Sequence, residues 1–340
     1  MGGLSVAVLA GGRSSEHDVS LASGAAVVAG LAEAGHQPTL IEVDRKGVWR
    51  QDGQALTLTP GTGIGGFDIA FPVLHGPFGE DGIAQGLLEA LGVPYVGSGV
   101  FASALCNDKL RTKQLLTVAG FDQVASVQVT DSDWSSGRDD LEQKIAAIGW
   151  PVWVKPARLG SSVGISRVDS AVKLGEAIAA ALAYDPRVIV EQSSPGREIE
   201  VSVIERLSQS GTFELVTSPP GEIALPGAGP DDWYDYERKY EAGGMQLRVP
   251  AELDEGTSEA VRSTAAEAFA ATGCSGYARV DCFVDGDRIL INEINTAPGF
   301  TSTSVFAQLF ASDGVTYPDL LDELVRTALA LFEREAGYSF

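Results

Sequence analysis

The sequence predicts a mixed α/β fold that opens on a doubly wound parallel sheet, and three observations carry that reading. Residues 4–9 are a short apolar run ending at Gly11-Gly12, with helical periodicity over 16–33 behind it, the strand, turn and helix that open an α/β domain. Residues 38–43 and 67–74 supply two more strands of the same sheet, and a helix over 83–91 follows them. From residue 150 onward further strands are read over 150–155, 163–168, 187–191 and 198–204, and the hairpin of 277–295 follows a long loop and a helix.

Composition bounds the class. With 340 residues, 44% hydrophobic and 21% charged, the chain suits two or three globular domains. A net charge of −22 argues against DNA or RNA as a partner, while a small nucleotide feels local lysines more than the global field. Cys106, Cys274 and Cys282 show no metal-ligand spacing and no disulfide framework, which suggests a reducing compartment. No basic region precedes the first apolar run, Val6 spoils a myristoylation pattern, and no apolar run approaches a membrane span. The expected localisation is cytoplasmic, with no membrane partner.

Candidate ligand positions gather at strand ends. The turn after the first strand is not G-x-G-x-x-G, so a dinucleotide fingerprint is absent. Glu16, His17 and Ser20 stand at that strand's carboxyl end, where open α/β sheets bind ligands, although a carboxylate in a first helical turn often serves the dipole alone. His75 opens the loop HGPFGEDG after the third strand, with glycines that allow close backbone approach. A strand at Tyr95-Val96 closes this domain near Gly97, and a new segment starts at Asp108-Lys109 with a helix to about Ala119.

Strands over 150–155 and 163–168 flank Arg158 to Gly164, a Gly/Ser loop that offers N–H groups and hydroxyls to an anion but is not a P-loop. Most such hairpins are simply turns, and Lys155 on the preceding strand favours a phosphate clamp. Strands over 187–191 and 198–204 place Glu191 and Glu198 on either side of a turn. Residues 218–244, rich in Pro, Gly and Asp and followed through DYERKY, read as a lid. A helix over 257–272, stopped by Gly273, leads into the hairpin, and Thr316-x-x-Asp319 caps a last amphipathic helix. There are no internal repeats.

The hairpin carries the chemistry. Alternation puts Arg279 and Asp281 on one face of its first strand, and Ile289, Ile291, Glu293 and Asn295 on one face of its second. A surface ion pair accounts for R-x-D alone. The E-x-N of the second strand turns the reading towards Mg²⁺ held with substrate phosphates by Asp281, Glu293 and Asn295. A two-residue Asp285-Gly286 turn would set Glu293 opposite in face to Asp281, whereas a three-residue loop through Asp287 would bring both carboxylates to one side. The metal reading requires the second register.

Taken in order, AGGRSSEHDVS, HGPFGEDG, NDK, VKPARLGSSVG, YDYERKY, ARVD and NEINTAPGFTSTS cover nearly the whole chain and resemble the D-alanine–D-alanine ligases of the ATP-grasp superfamily. The resemblance implies three domains, taken as 1–97, 98–191 and 192–340, with ATP between the last two. It implies that Lys109 and Lys155 hold phosphates, that Ser161 and Ser162 lie over them, and that Lys239 reaches them from the lid. Glu191 would meet the adenine amino group and Glu198 the ribose, with Phe283 and Asn292 also at the nucleotide. Asp281, Glu293 and Asn295 would hold two Mg²⁺ ions, Glu293 bridging, with Mn²⁺ as a substitute and a monovalent cation in addition. Glu16 would receive the first D-alanine's ammonium, beside Val19, Ser20 and His75. Arg279 and the Gly299 N–H would form the oxyanion site, and Ser304 would bind the second D-alanine's carboxylate beside Val305. Glu16, Ser161 and Tyr240 would form a hydrogen-bonded triad, and tyrosine at 240 favours an amine over D-lactate as second substrate. Val305, Ala307 and the Gln192-Ser193-Ser194 hinge depart from the family pattern. The implied activity is dipeptide formation through an acylphosphate for peptidoglycan precursors, by a homodimer, with D-lactate or D-serine ligation as the alternative.

Overall fold

The computed structural model describes residues 2–160, 163–208, 210–224 and 246–339. Ser161, Ser162, Lys239 and Tyr240, with most of the expected lid, lie outside the described residues.

The N-terminal sheet holds β1 (Ser5–Gly11), β2 (Gln37–Val43), β3 (Trp49–Gln51), β4 (Gln54–Ala55) and β5 (Ile69–Pro72) in the order β4-β3-β2-β1-β5. β1 pairs in parallel with both β2 and β5, as its unbroken apolar run requires. Its alternate residues enter two cores: Val6, Val8 and Ala10 join one, Ala7 and Leu9 the other. Helices α1 (His17–Glu33) and α2 (Ile83–Leu91) flank the sheet. The expected strand over 67–74 is shorter than its apolar run, although Val73 N still donates to Leu9 O at 2.9 Å. Tyr95 contributes one parallel bridge to Ala70, and the small β3–β4 hairpin has no apolar signal that would announce it.

The chain then passes through α3 (Val100–Asn107) and α4 (Lys109–Val118) to a four-stranded sheet, β6 (Ser126–Thr130), β7 (Val152–Pro156), β8 (Ser166–Val168) and β9 (Arg187–Gln192), ordered β6-β9-β7-β8. Val152, Val154, Val188 and Val190 turn one face onto α6 (Arg138–Ala147) and α7 (Leu174–Leu182), with α5 (Asp131–Ser136) at its edge. The opposite face carries Trp153, Lys155 and Glu191, because strand residues alternate.

The C-terminal sheet runs β13-β12-β10-β14-β15, with β11 also on β10: β10 (Arg197–Leu207), β11 (Phe213–Thr217), β12 (Gly221–Ala224), β13 (Gln246–Arg248), β14 (Tyr277–Asp285) and β15 (Arg288–Asn295). Its apolar face packs on α8 (Glu255–Ala271), through Val261, Ala265, Ala268 and Phe269. α9 (Val305–Ala311) and α10 (Tyr317–Ala336) follow. α10 crosses back to the first sheet, where Leu321, Leu324 and Val325 share a core with Val6 and Val8. Thr316 caps it as expected, its hydroxyl accepting from Asp319 N at 3.3 Å.

Neither anticipated register of the β14–β15 hairpin occurs. Asp285 pairs with Arg288, so the turn is Gly286-Asp287, one residue later than the sequence suggested. Continued unbroken, that two-residue turn would place Glu293 on the wrong face. Instead Cys282 pairs with Ile291 and Asp281 with Glu293, which leaves Asn292 as the extra residue of a β-bulge. The expected alternation in β15 therefore breaks at Asn292. Ile289 and Ile291 face the core with Cys282 and Val284, while Glu293 and Asn295 share the face of Asp281 and Arg279.

An aromatic cluster joins the first and last sheets. Phe300 lies 5.4 Å from Phe71 of β5, 5.1 Å from Tyr277 of β14 and 5.1 Å from Phe306 of α9, ring centre to ring centre. Phe300 is fully buried and sits in the loop that leaves the hairpin. We expect Phe300→Ala to lower stability by about 3–5 kcal/mol in urea unfolding, and Phe300→Leu to lose less.

Candidate active site

The polar face of the C-terminal sheet is arranged in cross-strand rows. Ser202, Arg279 and Asn295 form one row, and Glu200, Asp281 and Glu293 the next. Glu198 stands opposite Phe283 in the row beyond. Arg279 donates from Nε to Asp281 Oδ1 and from a terminal nitrogen to Asp281 Oδ2, both at 2.7 Å. Its Nε also lies 3.1 Å from Glu200 Oε2. Asn295 Nδ2 donates to Asp281 Oδ2 at 2.9 Å. Burial by itself would lower the Arg279 pKa, but Asp281 and Glu200 outweigh it and hold the guanidinium charged. Cys282 faces away, and burial pushes its thiol up to about 12, so it takes no part.

The hairpin thus brings together Arg279, Asp281, Glu293 and Asn295. Among the described residues no group of three or more His, Cys, Asp or Glu is gathered for a metal ion. Two carboxylates and an amide nevertheless match the oxygen set of a Mg²⁺ site that substrate phosphates complete.

The facing sheet supplies cations. Lys155 Nζ lies 2.7 Å from Glu191 Oε2, and Lys113 Nζ 2.9 Å from Glu191 Oε1. Burial would raise the Glu191 pKa, yet Lys155 and Lys113 override it and hold the carboxyl at about 2. One turn before Lys113 on α4, Lys109 Nζ donates to Leu159 O at 2.7 Å and lies 3.7 Å from Glu293 Oε2. α4 therefore spans the cleft, with Lys109 at the Glu293 end and Lys113 at the Glu191 end.

The N-terminal domain closes the third side. A Cβ on Gly76 would come within 2.8 Å of Glu16 Oε2, so the positive φ of 72° and the missing side chain let the HGPFGEDG loop sit against that carboxylate. Glu16 begins α1 without capping it through its side chain. His75 is buried, with Nδ1 3.1 Å from Ala297 O and Nε2 3.2 Å from Ser23 Oγ. Burial lowers its pKa despite Glu16, so the ring is neutral. A carbonyl only accepts, which puts the proton on Nδ1. His75 thereby ties the first domain to the loop after β15. Glu80 of the same loop is pushed up to about 8, by burial first and by the Glu16 carboxylate second. It keeps its proton at neutral pH.

Ser20, expected beside the substrate, turns its side chain inward. Its hydroxyl is fully buried, donates to Val73 O at 2.6 Å and accepts from Gly11 N at 2.8 Å. It braces the glycine turn instead. Val19, one residue earlier, is half-buried on α1. In the loop after β15, Ser304 Oγ accepts from Thr301 N at 3.0 Å, and a Cβ on Gly299 would lie 3.2 Å from it. Tyr317 donates to Phe300 O at 2.7 Å and steadies that loop. Val305 opens α9 directly behind Ser304.

Lys113, Glu200 and Glu80 were missed by sequence reasoning. Lys109 and Lys113 are like charges at i and i+4, which a helix tolerates when something opposite pairs them. Glu200 follows Glu198 by one strand period, which places both on one face.

Family models agree with this layout. The D-ala D-ala ligase N-terminus matches residues 5–64 and 57–98, and the D-ala D-ala ligase C-terminus matches 115–326. The chain belongs to the D-alanine–D-alanine ligase family. A D-alanine–D-alanine ligase of Deinococcus radiodurans is 40% identical over 342 residues, covering 95% of this chain and 98% of the relative. One of Mycobacterium tuberculosis (strain H37Rv) is 40% identical over 363 residues, covering 96% and 95%. Among solved structures, the VanG D-Ala:D-Ser ligase of Enterococcus faecalis superposes with a TM-score of 0.84 at 31% identity, covering 96% of this chain and 99% of that one. The D-alanine-D-alanine ligase of Coxiella burnetii gives 0.84 at 30% identity, covering 99% and 97%. The fold is that of the ATP-grasp ligases, and use of ATP goes with the family.

The Glu191 trio makes a pH-dependent prediction. A carboxyl held below its unfolded value stabilises the fold above that value, and the benefit is lost as pH falls through the folded value. Lys113→Met should cost about 1.5–3 kcal/mol near neutral pH. The gap to the unmodified protein should narrow as pH falls from 4.5 to about 2. Urea unfolding of both proteins across that range checks it.

Proposed function

We propose that the chain joins two D-alanines at the expense of ATP, forming D-alanyl-D-alanine, ADP and phosphate for peptidoglycan precursor synthesis. The observation that carries this reading is the bulged hairpin, which sets an arginine and three oxygen-bearing side chains on one face within reach of Lys109 on α4.

The carboxylate of the first D-alanine must approach the γ-phosphate of ATP, so two anions meet. Lys109 and Lys155 each keep N–H donors beyond the bonds already described, and these suit phosphate oxygens. When bound, two Mg²⁺ ions, or Mn²⁺, held by Asp281, Glu293 and Asn295 with phosphate oxygens, neutralise charge at the transferring phosphoryl group. Glu293, the cross-strand partner of Asp281 and 3.7 Å from Lys109, would help to hold both ions. Glu198 and Phe283 suit the ribose and adenine end, with Glu191 beside them and Asn292 at the bulge. Glu16 receives the ammonium of the first D-alanine, and His75 helps to position that D-alanine without adding charge. The second D-alanine's amine attacks the acylphosphate carbon and phosphate leaves. Arg279 and the Gly299 N–H stabilise the oxyanion of that step, and Ser304 holds the incoming carboxylate. Ser161, Ser162, Lys239 and Tyr240 would close over the phosphates. Domain boundaries at 97/98 and 191/192, a monovalent cation, a homodimer and a cytoplasmic location complete the proposal. Among the described residues no helix is long and apolar enough to cross a membrane.

The likeness to a D-Ala:D-Ser ligase supports D-serine as a second reading for the acceptor position. Mass spectrometry of products formed from D-alanine offered with D-serine and D-lactate decides between them. We expect D-alanyl-D-alanine to dominate, and ADP release to depend on D-alanine. A D-alanyl-D-serine excess would reassign the acceptor. Asp281→Asn and Glu293→Gln should abolish turnover while keeping the fold. Arg279→Ala should lose on the order of a hundred- to thousand-fold in kcat. A fall in ATP affinity with kcat intact would make Arg279 a nucleotide contact instead.

A further inference from the structure

We propose that Glu200 is a positioning residue that shares Arg279 with Asp281 and so keeps Asp281 available to a divalent ion. The inference rests on the reading of Asp281 as a metal ligand given above.

Glu200 is 5% exposed and Asp281 2%, and the two are direct cross-strand partners on β10 and β14. Arg279 is the guanidinium common to both. The single hydrogen on its Nε is directed at Asp281 Oδ1, 2.7 Å away, with Glu200 Oε2 at 3.1 Å. A buried carboxylate is costly unless a partner compensates it, and Arg279 lies within reach of both. Were Asp281 the sole counter-ion, guanidinium and dication would compete for the same carboxylate. Any pull of the ion on Asp281 would then also drag the arginine that the oxyanion needs. Glu200 comes from a strand carrying none of the proposed metal ligands. Its place is fixed by the β10–β14 ladder, so it anchors Arg279 independently of Asp281. Partners of this kind, which orient a ligand without touching the ion, typically alter metal affinity about 10–100-fold when replaced.

Glu200→Gln keeps the side chain's size and removes its charge. Free Mn²⁺ is counted by electron paramagnetic resonance as it is titrated into the enzyme with AMP-PNP, a non-hydrolysable ATP analogue. Each variant's unfolding midpoint is measured alongside, and the Mg²⁺ needed for half-maximal ADP release is read separately. We expect Glu200→Gln to weaken Mn²⁺ binding about 10–100-fold and to raise the Mg²⁺ requirement in step. Glu200→Asp, which restores the charge one methylene short, should fall between Glu200→Gln and the unmodified enzyme. If Glu200→Gln does not fold, Glu200→Asp decides, with unchanged Mn²⁺ affinity counting against the proposal. Unaltered Mn²⁺ binding in a folded Glu200→Gln, with binding lost in Asp281→Asn, would reduce Glu200 to a structural role. Unaltered binding in Asp281→Asn as well would overturn the metal reading itself.

Discussion

One extra residue in one strand decides what the cleft can do. The Gly286-Asp287 turn fixes a register in which Glu293 would point into the apolar core beside Ile291. The bulge at Asn292 shifts everything after it by one position. Isoleucines before the bulge stay in the core, and the acidic and amide residues after it turn to the cleft. Burying Glu293 without a partner would be costly, and exposing Ile291 would lose apolar contact, so both faces favour the same defect. The bulge also increases the local twist where the strand leaves the sheet, which suits a segment that must turn at once into the Gly299–Ser304 loop.

That loop is held by groups from every side except its own strand. Phe300 is gripped by aromatic rings from β5, β14 and α9, His75 bonds Ala297 O, and Tyr317 bonds Phe300 O. The proposed oxyanion donor Gly299 lies between these anchors. Its position therefore depends on the N-terminal sheet, the C-terminal sheet and the last helix together. α4 plays the matching part across the cleft, tying one sheet through Lys113 to Glu191 and the other through Lys109 to Glu293. The site is thus a product of how three sheets meet, and stability of their contacts and geometry of the site are one property.

This explains what was legible in the sequence. Period-two alternation placed Arg279 beside Asp281 correctly, and Thr316 announced its helix, because both signals are local. The face of Glu293 was not legible, since neither its own strand's pattern nor the turn residues reveal a bulge. Lys113, Glu200 and Glu80 escaped because each acquires its meaning from a partner far along the chain: Glu191, Arg279 and Glu16. Ser20 shows the demand that the fold itself makes on such a position. Its place at the end of the first strand is where ligands bind, but the glycine turn needed its hydroxyl first.

Two glutamates in one cleft show how far neighbours outweigh residue type. Glu191 and Glu80 are both drawn from water, which by itself raises a carboxyl's pKa. Lys155 and Lys113 reverse the effect at Glu191 and hold it at about 2, so its charge persists through neutral and mildly acidic pH. Glu80 meets the Glu16 carboxylate, with Glu293 adding in the same sense, and rises to about 8 although Lys109 opposes it. Near neutral pH one end of the cleft is therefore a fixed ion-paired cluster, and the other withholds a negative charge by keeping a proton. His75, neutral and bonded at both nitrogens, adds no charge there either. In the proposed reaction a substrate ammonium entering on that side would meet Glu16 without a second charged carboxylate beside it. The phosphate chain of the proposed reaction would lie nearer Lys155 and Lys109, the second of which is close enough to Glu80 to oppose its rise. Keeping Glu80 protonated beside Glu16 while Lys155 stays charged would let one cleft receive a cationic amine and a polyanion at once.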